Sequence, residues 1–469
     1  MPHPISPLAG HRLRPGRASL ALALLLPLLS GCGLRPAGTA SGLTPPATLR
    51  GATPAQPAIW PEAEWWRGFG APELNALISA ANQAGFDNRI AEAQLRQADA
   101  TLRIAGQALL PSGGIGFTTN RSQTPLSTAS GVTVAGRSRF SQRVVYGSTL
   151  SATYEVDFWG RARNTVLAAR EAAAASQFNL GVIRLTTQAS VANSYFAVLA
   201  AQEQLAIQQQ NLASAERILG VIQNRLRAGT ANGLDLAQQQ TLVAQQANLF
   251  ALATLTGQMP EALATPSQPL AGLTLPPVSP GLPAEILTRR PDVQQAEANL
   301  AAAQANVAVA RAAMLPTLQL TTTGGFQSLV FDNLVRPGSV LFSLAGSLTQ
   351  PIFQQWQLRA QRDFNQARAE ELLEAYRKSI VAALADTETA IATLRETTEL
   401  ASLQQAATTA AEAAHNIAEA QFRAGTIDII TLLNTQTALF NARNALAQSR
   451  LQLLQAAVGL FRALGGGWR

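Results

Sequence analysis

Twice along this chain, after Pro111 and again after Pro316, the spacing of apolar residues switches from a helical period to strict alternation. Ile115, Phe117 and Thr119 open the first alternation. Val144, Tyr146, Leu150, Ala152 and Tyr154 then alternate with Gly147, Thr149, Ser151 and Thr153. In the second copy Leu318, Leu320 and Thr322 are followed by Val340, Phe342, Leu344 and Leu348, which alternate with Leu341, Ser343, Ala345, Ser347 and Thr349. The pattern predicts two strand pairs, within 113–156 and 317–350, joined by polar loops at about 121–142 and 328–338. Each strand is about ten residues, the length of a tilted membrane strand. A sheet in a bilayer must close, because open edges find no water there. Four strands are too few, since bacterial barrels begin at about eight. Two chains would supply eight strands and a filled interior; three would supply twelve and room for a lumen. Composition does not choose between them.

The rest of the chain is duplicated with the strands. "LRIAGQALLPS" ending at Ser112 matches "VAVARAAMLPT" ending at Thr317, and "DFWGRAR" around Phe158 matches "IFQQWQLR" around Phe353. "RAGT" occurs at Arg227–Thr230 and again at Arg423–Thr426, 196 positions on. A long proline-free stretch precedes each copy, about 160–227 and 355–423, and at 1.5 Å per residue each reaches roughly 100 Å as a helix. Val191, Val198, Leu205, Leu212, Leu219 and Leu226 recur every seventh residue, as in a coiled coil. The glycine of each RAGT suits a left-handed helix terminus, so both copies read as tight turns of antiparallel helical hairpins. The organisation expected is repeat 1 at 61–258 (hairpin 160–258), a linker at 259–283 with seven prolines, repeat 2 at 284–464 (hairpin 355–464) and a tail at 465–469.

Arg12, Arg14 and Arg17 precede the apolar run "ASLALALLLPLL", and "LSGC" follows at Leu29–Cys32. A basic region, a short apolar core and small residues before a cut describe a secretory signal at 1–31. Twelve apolar residues are too few to span a bilayer as a helix. Cys32, the only cysteine, sits where bacterial lipoproteins are cleaved and acylated, so 32–60 is expected to be a lipidated linker. Removing three arginines lowers the formal charge from +7 to +4, and no basic cluster with interleaved aromatics points to nucleic acid.

"WWRGFGAPELNALI" (65–78), "YEVDFWGR" (154–161), "RRPDVQQAEANLAAAQANVAVARAAMLPTL" (289–318), the two RAGT turns and "FRALGGGW" (461–468) resemble, in order, the outer-membrane efflux channel family, in its lipoprotein branch. The resemblance implies an α+β membrane protein and a homotrimer. Its twelve-stranded β-barrel would stand in the outer membrane, continued by an α-helical barrel into the periplasm. It also implies a passive exit for drugs or small solutes, served by a periplasmic adaptor and an inner-membrane transporter, commonly of the resistance-nodulation-division class. The alternative is the outer channel of a type I protein secretion system; the lipobox and the "RRPD…LP" segment favour efflux.

On that resemblance, Arg227, Ala228, Gly229 and Thr230, with Arg423, Ala424, Gly425 and Thr426, are the adaptor-facing tips. The periplasmic gate would lie nearby. Asn434 stands where relatives often carry Asp, which weakens any ring of negative charge; Asp428, Arg423 and Asp235 are the other candidates. Nothing points to an enzyme: one histidine, His415, follows Cys32, and neither a Cys/His pair nor a phosphate-binding glycine loop is present. No metal and no cofactor beyond the lipid on Cys32 is expected. His415 reads as packing, and Trp65 and Trp66 as anchors of the N-terminal segment.

Overall fold

The structure, a computed structural model, describes residues 34, 36–50, 59–125, 140–223, 268–278, 281 and 283–466. Cys32, Arg227–Thr230 and Asp235 lie outside the described residues. In chain order, α1 (Pro72–Ala84) and α2 (Phe86–Gly106) lead to β1 (Ser112–Pro125) and β2 (Phe140–Val156), followed by α3 (Arg161–Gln223). Then come α4 (Pro283–Arg289), α5 (Pro291–Ala312), β3 (Thr317–Ser328), β4 (Val340–Thr349), α6 (Gln355–Arg423) and α7 (Ile429–Ala463). Among the described residues no helix is long and apolar enough to cross a membrane. The chain divides into two compact units. One holds residues up to Gly38 with Thr101–Arg170 and Ala301–Glu370; the other holds Thr39–Ala100, Glu171–Leu300 and the chain from Glu371 on.

The first unit contains the sheet. Its order is β1-β2-β3-β4, antiparallel throughout, so β1 and β4 are its outer strands. β1 has 14 residues and β2 has 17, several more than the apolar alternation marks. The extra length is polar: Arg121 donates to Gln142 at 3.2 Å, and Gln142 to Gln123 at 3.2 Å, side chains that the alternation rule assigns to a loop.

The corner after β2 follows from local chemistry. Gly160 takes φ +78. Asp157 accepts from the backbone N–H of Ala162 and Arg163, both at 3.0 Å, and so caps the first turn of α3. Burial alone would raise the Asp157 pKa. The backbone hydrogen bonds from Arg163 and Ala162, with the Arg163 side chain, outweigh it and hold the carboxyl below its ordinary range. The Trp159 indole donates to the Pro316 carbonyl at 2.7 Å, tying the end of β2 to the start of β3.

In the second unit the motif segments meet one another. Trp65, Trp66 and Phe69 are buried with Tyr195, Phe196 and Phe461. Trp65 stacks on Phe461 at 5.1 Å, and Phe69 lies 5.1 Å from Phe196. From the linker, Leu270 joins this core, and Thr274 donates to the backbone carbonyls of Phe69 and Gly68. Val191 and Val198 of the seven-residue stripe are fully buried, and Leu205 is half-buried.

Arg290 sits between α4 and α5, with Pro291 at the first position of α5, where its missing N–H costs nothing. Its guanidinium makes a two-pronged contact with Asp292 at 3.0 and 2.6 Å and reaches Asp386 of α6 at 3.2 Å. It also donates to the carbonyls of Ala383 and Ala463, each at 3.3 Å, satisfying one of the last carbonyls of α7. Gly465 follows at φ +91, and a Cβ there would stand 2.8 Å from the Arg289 carbonyl oxygen, so glycine is required.

Candidate functional site

The pairing register sorts the sheet into two faces. Ile115, Leu150, Gly324 and Phe342 stand side by side across the four strands. So do Phe117, Ser148, Phe326 and Val340. Tyr146 and Tyr154 lie on the same face by the two-residue period. The next row is Gly114, Ser151, Thr323 and Ser343, and that opposite face continues through Thr149, Thr153, Thr321 and Ser347. Ile115, Phe117, Leu150, Phe342, Leu344 and Leu348 are all exposed. Water would penalise such a surface at about 25 cal/mol per Å² of apolar area, whereas hydrocarbon would not. One face therefore suits lipid. The other, of hydroxyls and glycines, suits a wet passage.

The tip of the α6–α7 hairpin is built by capping. Gly425 takes φ +76; its N–H donates to the Phe422 carbonyl at 3.1 Å, and that of Thr426 to Gln421 at 3.0 Å. These close the last turn of α6 on its own carbonyls. Asp428 is the N-cap of α7, accepting from the Thr431 N–H at 2.8 Å, and hydrogen bonding to Thr431 holds its carboxyl below the ordinary range. Leu432 and Ala418 are buried against Phe422 and Ile427, which keeps the two arms together. Arg423 is exposed and pairs with Glu419 at 2.5 Å.

Comparison with known proteins fits this geometry. The family described as Outer membrane efflux protein matches residues 77–265 and 282–466. The chain belongs to the outer membrane efflux protein family. It is 39% identical to the pyoverdine export outer membrane protein OpmQ of Pseudomonas aeruginosa, over 96% of this chain and 97% of that one. It is 30% identical to the antibiotic efflux pump outer membrane protein ArpC of Pseudomonas putida, over 96% of each chain. The open-state MtrE outer membrane channel of Neisseria gonorrhoeae has the same fold: TM-score 0.82, 24% identity, 93% of this chain and 98% of that one. The protein is thus an efflux channel component of the outer membrane, and its family is one of channel proteins.

Of the residues singled out in this efflux protein, Arg423, Ala424, Gly425 and Thr426 form the exposed turn described above. Asp428 caps a helix and Arg423 pairs within its own helix, so both have local structural work. Asn434 is exposed on α7 in a stripe with Ile430, Leu433 and Thr437, spaced to share one face. His415 is buried at 8% exposure, and its Nδ1 has no hydrogen-bond partner.

Arg290 of the "RRPD" segment is a structural residue that the sequence signals only by an arginine just before a Pro-Asp helix start. How the chain after Cys32 is held has no such signal. The Leu34 N–H donates to the Trp159 carbonyl at 3.1 Å, and Asn164 donates to the Leu34 carbonyl at 2.8 Å. No local pattern around Leu34 announces partners about 130 residues away.

Proposed function

We propose that three copies of this efflux channel share one twelve-stranded barrel. Through it, small organic molecules pass outward, handed over by a periplasmic adaptor and an inner-membrane transporter of the resistance-nodulation-division class. The observation that carries this reading is the four-stranded sheet, with one apolar exposed face and outer strands β1 and β4 paired on one side only. Lipid does not tolerate unpaired strand edges, so the edges must meet those of other copies. Twelve strands leave a lumen, and the hydroxyl-and-glycine face would line it. A small-molecule cargo rather than a protein is supported by relatives named for pyoverdine export and antibiotic efflux. The chain supplies a conduit and no chemistry, so no cofactor is needed and the driving energy belongs to the inner-membrane partner.

Cys32 carries the lipid in this reading. Support comes from Leu34, two residues on, which is held at the foot of the sheet by Trp159 and Asn164. Acyl chains there would enter the leaflet that receives the strands. The turns at Arg227–Thr230 and Arg423–Thr426 face the adaptor. The adjoining first turns of α7 form the gate with Asp235. Asn434 there contributes hydrogen bonding in place of a carboxylate ring.

Native mass spectrometry of protein extracted from outer membranes tests the proposal. The expected species is a trimer of chains beginning at Cys32, each heavier by its acyl groups. A monomer would overturn the shared barrel, and an unmodified Cys32 would overturn the anchor.

A further inference from the structure

The four strand feet at one end of the sheet are not alike. Between the inner strands, Phe158, Trp159, Leu315 and Pro316 are half-buried, and the Trp159 indole is bonded to the Pro316 carbonyl. At the two outer strands the feet are bare. Leu110, just before β1, is 58% exposed, and after β4 Phe353 is 100% and Trp356 83% exposed. Leu109 and Ile352 are exposed beside them.

The internal duplication relates these feet. Phe353 is the counterpart of Phe158, 195 positions on, and Pro111 is the counterpart of Pro316. Inside the chain, the foot of β2 therefore closes on the foot of β3. The equivalent closure for β4 requires the foot of a β1, and this chain's own β1 stands at the far side of the sheet. The strands alternate in direction, so pairing β4 with the β1 of another copy in the same antiparallel sense puts the end of β4 and the start of β1 at the same end of the sheet. That leaves Phe353 and Trp356 next to Leu109–Pro111.

We propose that Phe353 and Trp356 of one copy close over Leu109, Leu110 and Pro111 of the next, repeating across the copy boundary the corner that Trp159 and Pro316 make within the chain. This rests on the shared-barrel reading and assigns its contact residues. The surface is heterologous: two different patches meet, and only a rotation that closes leaves none of them bare. Burying a phenylalanine and a tryptophan here would make this foot a main source of cohesion between copies.

The test uses the full lipoprotein in outer-membrane vesicles and a bismaleimide cross-linker. Leu110→Cys combined with Phe353→Cys is expected to convert the monomer band into a ladder ending at a closed ring. Neither single variant should form the ladder, because the sulfur of Cys32, the only native cysteine, is tied up in the bond to the lipid. Phe353→Ala with Trp356→Ala should lose the oligomer in a detergent where the wild type keeps it. Trp356 fluorescence with brominated phospholipids supplies the opposing outcome. An intact oligomer with no cross-link and strongly quenched Trp356 would mean that these side chains anchor in lipid. That overturns the inference and leaves the shared barrel standing. A monomer in native mass spectrometry overturns both.

Discussion

Around Arg290 the guanidinium directs its donors at two carboxylates and two carbonyls of the same chain, while on β1–β4 Ile115, Phe117, Leu150, Phe342 and Leu344 stand exposed among the described residues. The first region is completed by one molecule's own segments. The second becomes stable only in a medium that accepts Phe117, Leu150, Phe342 and Leu344, and beside copies that pair its edges. Damage to the first should therefore act on the folding of each chain, and damage to the second on insertion and assembly.

The largest effect expected is from Arg290→Ala. Removing the buried guanidinium breaks its hydrogen bonds to Asp292, Asp386 and the carbonyls of Ala383 and Ala463. The Thr387 hydroxyl still donates to both carbonyls and the two carboxylates reach water, so the cost is about 2–4 kcal/mol. Thermal unfolding in detergent should show a large fall in midpoint. A change equivalent to less than about 1 kcal/mol would mean that the junction is not what holds α5, α6 and α7 together.

Leu150→Arg against Ser151→Arg separates the two faces of the sheet with neighbouring residues. On the apolar face arginine should cost about 2–4 kcal/mol of insertion stability, read as loss of folded protein in vesicles. On the polar face the change should stay within about 0.5 kcal/mol, as for an ordinary surface site. Equal penalties at the two positions would refute the assignment of faces.

Asp157→Ala, at the corner after β2, should cost about 1–2 kcal/mol, as for loss of a helix cap. The sign with pH follows from its depressed pKa. The contribution is present above the ordinary carboxylate pKa of about 4 and is lost as pH falls through the lower folded value. Wild type and variant should therefore converge in acid; a constant gap would mean that the carboxylate charge is not involved. The smallest change is Gly425→Ala at the hairpin tip, about 1 kcal/mol from a positive φ, with Gly425→Asn milder. If asparagine proves worse than alanine in hydrogen exchange at the tip, strain at this φ is not the cause.

How much was legible depended on range. The strands were legible at Val144–Tyr154 and Val340–Leu348 because two solvents impose a period of two on the side chains. Beyond Asn120 the signal failed, since Arg121, Gln123 and Gln142 continue the ladder outside the apolar band. The α6–α7 turn was legible because capping is local: one glycine and one aspartate within a few residues. The gate was less so. Asp428 was a gate candidate by its place near the tip, and its bond to Thr431 gives it a capping role.

The sequence by itself determined the duplication, the four two-faced strands, the long helices α3 and α6 and the α6–α7 turn, because each depends on periodicity and on single-residue backbone preferences. It also set the need for several copies, since four strands cannot close. Only the tertiary structure decided that "WWRGF" and "FRALGG" share one aromatic core, that Arg290 joins α5 to α6 and α7, and that Leu34 is bound by Trp159 and Asn164. It likewise showed which feet of the sheet are already covered. Those contacts join residues tens to hundreds of positions apart, and no local preference encodes which distant surface will arrive.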